Sequence, residues 1–598
     1  VRKSVAVLSA NYRKAYPVVR SLAKHGYAVL AIFHEWRSYV LSRYVKHRLR
    51  TRLASVADYE KLLRALKRFS IENIFPISYT DYESIGKLIP EIDVKLPFRG
   101  RADELADKYL LQEVCKKLGL KYPKTLLVTP QDSDIELIVS KIISDIGLPL
   151  VVKGRGDASR PVYVTTRDEL RQELRKRVGK EVLVQELVLG TGCGYFAVAV
   201  EGKPIVEYTH TRIVEEKASG GPSMRACLGF DPRIIRVGRE ILKYFKWTGP
   251  IMVEMKQHIE TGELYIIEIN PKLWGSLELA VSHGIDLPCE LLRLEGEPIE
   301  CRHNVRRKHT CFTWLIGSLH YLRDNPAVWL RMLRQVLQEG VVHVSDVHLD
   351  DPPELLYGFL TRLITVLRGF SRSDWKIKFI QNFKKIARMV KNLRLVIFDL
   401  DGTLVDLEVN WKKLRRELVK KGLVRQYESI MMAVLRSQRV GCYEKINGEI
   451  SRWELRAVKK IRRNNRLCIE LEKLSKKVMI AVATKQCKEA AIMALDRLGI
   501  SSFFRIVVTR EYSVLKEEQV RHILASTSVR PEQAVVIGDS LADMNAACRC
   551  GTWFIAIAKN MYMAQMYAEY GVPCFFNILD VLKILNTLLD RIQGRACT

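Results

Sequence analysis

The chain has no uninterrupted apolar run near the roughly 20 residues that a bilayer-spanning helix needs, so a helical membrane protein is not expected. It has no CxxC pair. Its 13 cysteines are scattered, and Cys548 and Cys550, one residue apart, do not have zinc-ligand spacing. A cytoplasmic protein with reduced thiols is expected. GxGxxG is missing too: the first strand–helix turn reads Ser9-Ala10-Asn11-Tyr12-Arg13, which speaks against dinucleotide binding there. Internal repeats, low-complexity segments and RNA-binding signatures are absent from the sequence.

Acidic residues are in short supply, 67 against 97 Lys and Arg, and the net charge is +30. The excess is uneven. Residues 362–394 hold ten Lys/Arg against Asp374 alone, and residues 410–477 hold twenty against seven acids. Three readings fit: a solvated helical surface, a funnel for anionic substrates, or nonspecific contact with RNA or acidic membranes.

At 598 residues the chain exceeds one hydrophobic core, and about 100–200 residues per domain gives three to five units. Apolar runs at 4–10, 28–33 and 73–78 read as strands, with helices between them, so the start is a parallel α/β domain. The N-terminal VRKSVAVLSA reads as the first of these strands, not as a signal peptide. Residues 150–270 are strand-rich with Gly-bearing loops. Residues 310–392 read as helices without evident chemistry, and α/β alternation returns after 393.

The run VIFDLDGTLV (396–405) leads an apolar strand into Asp399 and Asp401 before a glycine turn. One carboxylate there can attack phosphorus while the other moves a proton to the leaving group. Thr484 ends the strand KVMIAVAT, Lys516 opens a helix pattern, and AVVIGDSLAD supplies Asp539 and Asp543.

A second constellation lies upstream. Glu254 is on the strand PIMVEMK, a turn at Thr261-Gly262 reverses the chain, and Glu268 and Asn270 follow on one face of YIIEINPK. Three hard oxygen ligands in an apolar hairpin suit Mg²⁺. Lys153 ends the strand LPLVVK before the loop Gly154–Ser159, an arrangement that suits a phosphate cradle, and Lys108 precedes an amphipathic helix. Glu186 follows an apolar strand, where a hinge can meet an adenine edge.

With these motifs in order, residues 1 to about 300 resemble the ATP-grasp superfamily, in its carbamoyl-phosphate-synthase-like, carboxylate–amine ligase-like branch. The carriers are DKYLLQ, PLVVKGRG, VLVQELVLG, VEM and IIEINPKLWGSLELA, with His210-Thr-Arg212 and Ser219-Gly220-Gly221-Pro222-Ser223. The resemblance implies ATP-dependent formation of an acyl phosphate and its capture by an amine or related nucleophile. Lys108, Lys153, Glu186, Glu254 and Glu268 would then bind ATP, and Glu254, Glu268 and Asn270 would hold Mg²⁺ or Mn²⁺. Catalytic Arg212, with His210, Gly220, Gly221, Ser223 and Lys272, would face the substrate. Three departures stand out: Lys272 where Arg is common, Pro161 in the lid loop, and no evident ribose-binding acid in Gly190–Gly194.

Residues 393 to about 585 resemble the haloacid dehalogenase (HAD) superfamily. The resemblance implies Asp399 as nucleophile, Asp401 as acid–base, Thr484 and Lys516 on the phosphoryl oxygens, and Mg²⁺ on Asp399, Asp401 and Asp539. Asp543 would brace the site. The expected architecture is α/β multidomain. A Rossmann-like pre-ATP-grasp domain (1–102) precedes an ATP-grasp domain (103–300) and a helical basic connector (301–392). A HAD parallel sheet (393–585) follows, with a helical cap at about 407–477. The expected function is bifunctional: a ligase for small carboxylates and amines, and a phosphatase for a small phosphoester. The alternative is a nucleotide-binding module without ligase activity, whose basic connector binds RNA or membrane.

Overall fold

The first apolar run forms β1 (Ser4–Val7), whose alternate residues face two different cores. The run was expected to reach residue 10, but Ser9 takes a left-handed φ of 46° and ends it. The computed structural model describes residues 3–78, 81, 82, 85, 102–154, 161–217, 220–305, 310–368 and 385–596. β1 pairs in parallel with β2 (Ala28–Phe33) and, on its other side, β4 (Ile71–Phe75), while β3 (Val45–Arg50) flanks β2. The helix Val56–Arg68 starts where the Ser55 side chain accepts from Asp58 N–H, a capping bond that fixes its first turn.

The next sheet is antiparallel, in the order β5–β8–β6–β7: β5 (Thr125–Val128), β6 (Leu150–Gly154), β7 (Val162–Val164) and β8 (Val182–Glu186). The helices Ile135–Asp145 and Arg167–Arg175 cover it through Ile135, Val139, Ile142, Leu170 and Leu174.

A six-stranded sheet follows, formed by β9 (Gly190–Val200), β10 (Lys203–Lys217), β11 (Gly220–Gly229), β12 (Gly249–His258), β13 (Leu264–Asn270) and β14 (Cys311–Thr313). Its order is β13–β12–β9–β10–β11–β14. The helix Pro232–Phe245 lies so close to β9 that a Cβ on Gly238 would meet the Tyr195 ring at 2.1 Å.

The last sheet is parallel, in the order β17–β16–β15–β18–β19–β20: β15 (Leu395–Phe398), β16 (Met479–Ala483), β17 (Ile506–Val508), β18 (Ala534–Gly538), β19 (Trp553–Ile557) and β20 (Cys574–Phe575). Between β15 and β16 the helices Trp411–Lys420, Ile430–Arg439 and Tyr443–Val458 build an apolar cluster of their own, centred on Leu414, Leu418, Val434 and Ile450.

The chain forms two units, each assembled from separated segments. One comprises Val1–Tyr122, Thr191–Lys256 and Leu264–Phe370; the other comprises Pro123–Gly190, Gln257–Glu263 and Ser371–Thr598. No helix among the described residues is long and apolar enough to cross a membrane.

The expectation of reduced thiols is corrected for four cysteines. Cys227 pairs with Cys311, and Cys289 with Cys301. Strand register brings the first pair together, Cys227 on β11 standing opposite Cys311 on β14, and spacing along the chain does not reveal it.

Candidate active sites

In the C-terminal sheet, β15 lies between β16 and β18 in parallel register, with Phe398 level with Val482 and Ile537. Asp399, Thr484 and Asp539 therefore leave the sheet at one carboxyl edge, where open α/β sheets place their ligand crevice. Asp399 N–H still donates to Ile537 O at 2.9 Å, so the nucleophile candidate is held by the last rung of the ladder.

Lys516 is the first residue of the helix Lys516–Thr527, and the residue is 3% exposed. Its Nζ reaches Asp399 Oδ1 at 2.5 Å, Asp543 Oδ1 at 3.0 Å and Ala483 O at 2.5 Å. Burial pushes Asp399 up to about 7 against the pull of Lys516, and Asp401 up to about 6. Asp539 is also raised by burial, against the ion pair its Oδ2 makes with Lys559 Nζ at 2.7 Å. Burial raises Asp543 as well, but Lys516 and Ser540 outweigh it and hold the carboxyl below its ordinary value. Asp543 is also the N3 partner of Ser540 in a capping box that starts the helix Leu541–Cys550.

Asp401 Oδ1 accepts from Leu407 N at 2.8 Å. Thr484 is fully buried, and its Oγ1 bonds the Gln486 side chain. Gln519 Nε2 donates to Thr484 O at 2.8 Å and fixes the same turn. Gly402 has φ 88°, and a Cβ there would meet Asp539 Oδ2 at 2.2 Å and Lys559 Nζ at 2.5 Å.

Among the described residues, Asp399, Asp539 and Asp543 each place one carboxylate oxygen within 4.8 Å of the others. This hard-oxygen set fits Mg²⁺. The sequence reading missed Lys559, Gln486 and Gln519; a lysine just past the strand WFIAIA was the available signal for the first.

In the first unit, Glu254 on β12 and Glu268 on β13 face related partners. Arg212 Nη2 pairs with Glu254 Oε1 at 2.9 Å, and Lys108 Nζ with Glu268 Oε2 at 3.1 Å. Asn270 Nδ2 donates to Glu268 Oε1 at 2.7 Å. Burial raises Glu254, opposed by Arg212, with the Glu268 charge adding to the rise. Two carboxylates and an amide oxygen form a donor set that fits Mg²⁺. Arg212 Nη1 also binds Glu215 Oε1 at 3.0 Å and Gly221 O at 3.2 Å, so it ties β10 to β11.

His210 is buried and held well below its ordinary value by burial and by Arg212. Its Nδ1 faces Ser276 Oγ at 3.3 Å, and its Nε2 has no hydrogen-bond partner. Ser223 is buried on β11, and its carbonyl accepts from Arg13 Nη1 at 3.4 Å. Burial lowers Lys272 to about 8 against Glu268, and lowers Lys14 to about 7. Gly220 opens β11. Arg13 and Lys14 belong to the short 3₁₀ helix Arg13–Ala15 that follows β1, and no sequence motif marks them.

Lys153 and Glu186 belong to the second unit. Lys153 Nζ donates to Gln185 Oε1 at 2.9 Å across the β6–β8 pair. Glu186 pairs with Arg549, and its backbone N–H donates to Lys124 O at 2.9 Å. The expected cradle 155–159 and the lid residue Arg160 lie outside the described residues, as does Ser219.

Residues 396–557 match the family of haloacid dehalogenase-like hydrolases. The C-terminal sheet is thus a haloacid dehalogenase-like hydrolase domain, and the chain is an enzyme. It is 27% identical over 181 residues to phosphoglycolate phosphatase of Aquifex aeolicus (strain VF5), a match that spans 27% of this chain and 82% of that protein.

Among solved structures, the chain is similar to N5-carboxyaminoimidazole ribonucleotide synthetase in its ADP complex, at 12% identity and TM-score 0.44, covering 56% of this chain and 86% of that one. It is also similar to the Staphylococcus aureus N5-carboxyaminoimidazole synthetase complexed with ADP, at 15% identity and TM-score 0.43, covering 54% and 86%. A third is the L-amino acid ligase of Bacillus licheniformis, at 16% identity and TM-score 0.38, covering 50% and 75%.

Proposed function

We propose that this chain is a bifunctional enzyme. Its C-terminal domain hydrolyses a small phosphoester with Mg²⁺, and its N-terminal part is an ATP-dependent ligase that joins a carboxylate to an amine or related nucleophile. The observation that carries the phosphatase reading is Lys516, buried between Asp399 and Asp543 beside Asp539.

In this reading the Asp399 carboxylate attacks phosphorus, and the bond from phosphorus to the ester oxygen breaks. Protonated Asp401 gives its proton to the leaving oxygen; its raised pKa of about 6 keeps that proton available near neutrality. Asp401 then takes a proton from water, which attacks phosphorus and frees Asp399 and phosphate. Lys516 and Thr484 face the phosphoryl oxygens, where charge grows. Asp399, Asp539 and the backbone carbonyl of Asp401 would hold Mg²⁺, with Asp543 as brace or further ligand; when bound, the ion offsets repulsion between carboxylate and phosphate.

The ligase reading rests on the paired acids of β12 and β13 with their cations. Glu254, Glu268 and Asn270 would hold Mg²⁺, which when bound would neutralise ATP phosphates. Lys108 would bind phosphates, and Arg212, His210, Gly220, Gly221, Ser223 and Lys272 would receive the carboxylate and its acyl phosphate. A small-molecule screen with ATP and Mg²⁺, reading ADP and phosphate separately, tests both halves. Carboxylate-dependent ADP release lost in Glu268→Gln supports the ligase. Phosphoester hydrolysis that survives Asp399→Asn refutes the nucleophile.

A further inference from the structure

The helix that begins at Lys516 has no side-chain cap of its own, because Leu515 stands at the N-cap. Its first N–H groups need acceptors from elsewhere. The acceptor for Lys516 N is Glu260 Oε1 at 3.2 Å, from a residue 256 positions earlier in the chain. Glu260 lies at the tip of the β12–β13 hairpin, and the tip segment Gln257–Glu263 belongs to the same unit as the C-terminal domain.

The same Oε1 pairs with Lys485 Nζ at 2.8 Å, and Lys485 directly follows Thr484. Glu260 is only 4% exposed. One buried carboxylate therefore touches two adjoining parts of the phosphatase site, the turn of Thr484 and the helix start of Lys516. The tip is itself braced, since Glu260 N and Thr261 N both face His258 Nδ1, at 3.3 and 3.2 Å. Beyond it, Gly262 adopts φ 67°, and a Cβ there would meet Met432 Cε at 1.8 Å. Gln257 Nε2 also approaches Met432 Sδ at 3.7 Å. Met432 is on the insert helix Ile430–Arg439, so the tip spans the catalytic core and the insert.

We infer that Glu260 is a positioning residue of the phosphatase site, supplied by the hairpin whose strands carry Glu254 and Glu268. It rests on the phosphatase reading above. Glu260 fixes the first turn of the Lys516 helix, and so the reach of Lys516 Nζ to Asp399, and it holds the Lys485 amine at the tip. Through Gly262 and Met432 the same tip links the insert to that turn.

The test compares the full chain with Glu260→Ala and Glu260→Gln, using para-nitrophenyl phosphate and Mg²⁺, with hydrogen exchange read in parallel. Glutamine keeps an oxygen acceptor for Lys516 N and loses only the charge. Expected is a fall in kcat of about tenfold for alanine with KM within about twofold, and a smaller fall for glutamine. Exchange should rise in the first turn of the 516–527 helix and in 430–439 for the alanine variant. A kcat within about twofold of wild type, or a rise in activity, overturns the inference. So does unchanged exchange in those two segments, and exchange is decisive even if no hydrolysis is seen. The phosphatase reading fails separately, if wild type does not turn over or if Asp399→Asn does.

Discussion

Arg510 and Glu454 pair through two N–H···O bonds, of 2.8 and 3.0 Å, with neither side chain exposed. Arg510 Nη1 also donates to Lys485 O at 2.7 Å, and Glu454 Oε2 accepts from Cys487 N at 3.1 Å. Glu454 is on the insert helix Tyr443–Val458, so this pair fastens the insert to the turn that follows Thr484. Removing one partner of a buried pair leaves the other charge unsatisfied, which costs about 3–5 kcal/mol. Glu454→Ala should lose that much in denaturant unfolding of the C-terminal domain. Replacing both with apolar side chains of similar size should recover part of it.

Gly402 is the one position in the Asp399–Val405 turn where both backbone and space demand glycine. Its φ of 88° strains any other residue, and a Cβ would press on Asp539 and Lys559. Gly402→Ala should lower phosphatase kcat by at least about tenfold and weaken Mg²⁺ activation, measured as the Mg²⁺ concentration for half-maximal rate.

The first unit holds a buried acid–histidine cluster that should make its stability depend on pH. His348 Nε2 lies 2.5 Å from Glu278 Oε1, and its Nδ1 lies 3.3 Å from Glu354 Oε2. Burial pushes Glu354 up from 4.5 to about 8. The folded state therefore favours the protonated acid; its contribution is intact below about 4.5 and is lost as pH rises towards 8, at up to about 1.4 kcal/mol per unit of pH. Burial lowers His348 from 6.5 to about 3, so its contribution is intact above 6.5 and is lost as pH falls towards 3. In thermal melts, Glu354→Gln should match wild type more closely near pH 5 and exceed it in Tm near about pH 9. An equal gap at both ends would exclude this assignment.

The two disulfides close loops of very different length, with sequence separations of 84 and 12. Constraint of the unfolded chain grows with loop size, to about 4–5 kcal/mol for the longer one. Cys227→Ser should therefore lower Tm more than Cys301→Ser. Mass spectrometry of the denatured, alkylated protein should find these four cysteines unlabelled until a reductant is added.

Much of the candidate phosphatase site is legible in the sequence because its residues hang on strand ends. Asp399, Thr484 and Asp539 follow apolar runs, and parallel pairing alone carries them to one edge. Strand limits were less legible: the run at 73–78 forms β4 only at Ile71–Phe75, and Pro76 supplies no N–H to continue the ladder. Glu260 was invisible, because nothing local marks a hairpin tip as the cap of a helix 256 residues away. The segment read as a connector without chemistry contains the pair His348 and Glu354, and the second partner of His348, Glu278, comes from another stretch of chain. Cys227 and Cys311 meet through strand register, a relation that spacing does not encode.

The chain passes between its two units at 122–123, 190–191, 256–257, 263–264 and 370–371. The two proposed activities therefore do not map onto two consecutive stretches of chain. A fragment cut near residue 393 would leave behind 123–190 and 257–263, and with them Glu186 and Glu260, the acids that Arg549 and Lys485 hold. Dissecting the gene would leave Arg549 and Lys485 without their acids and the helix that starts at Lys516 without its cap. Inheritance of the two activities as a single chain would then be a structural necessity as much as a metabolic convenience.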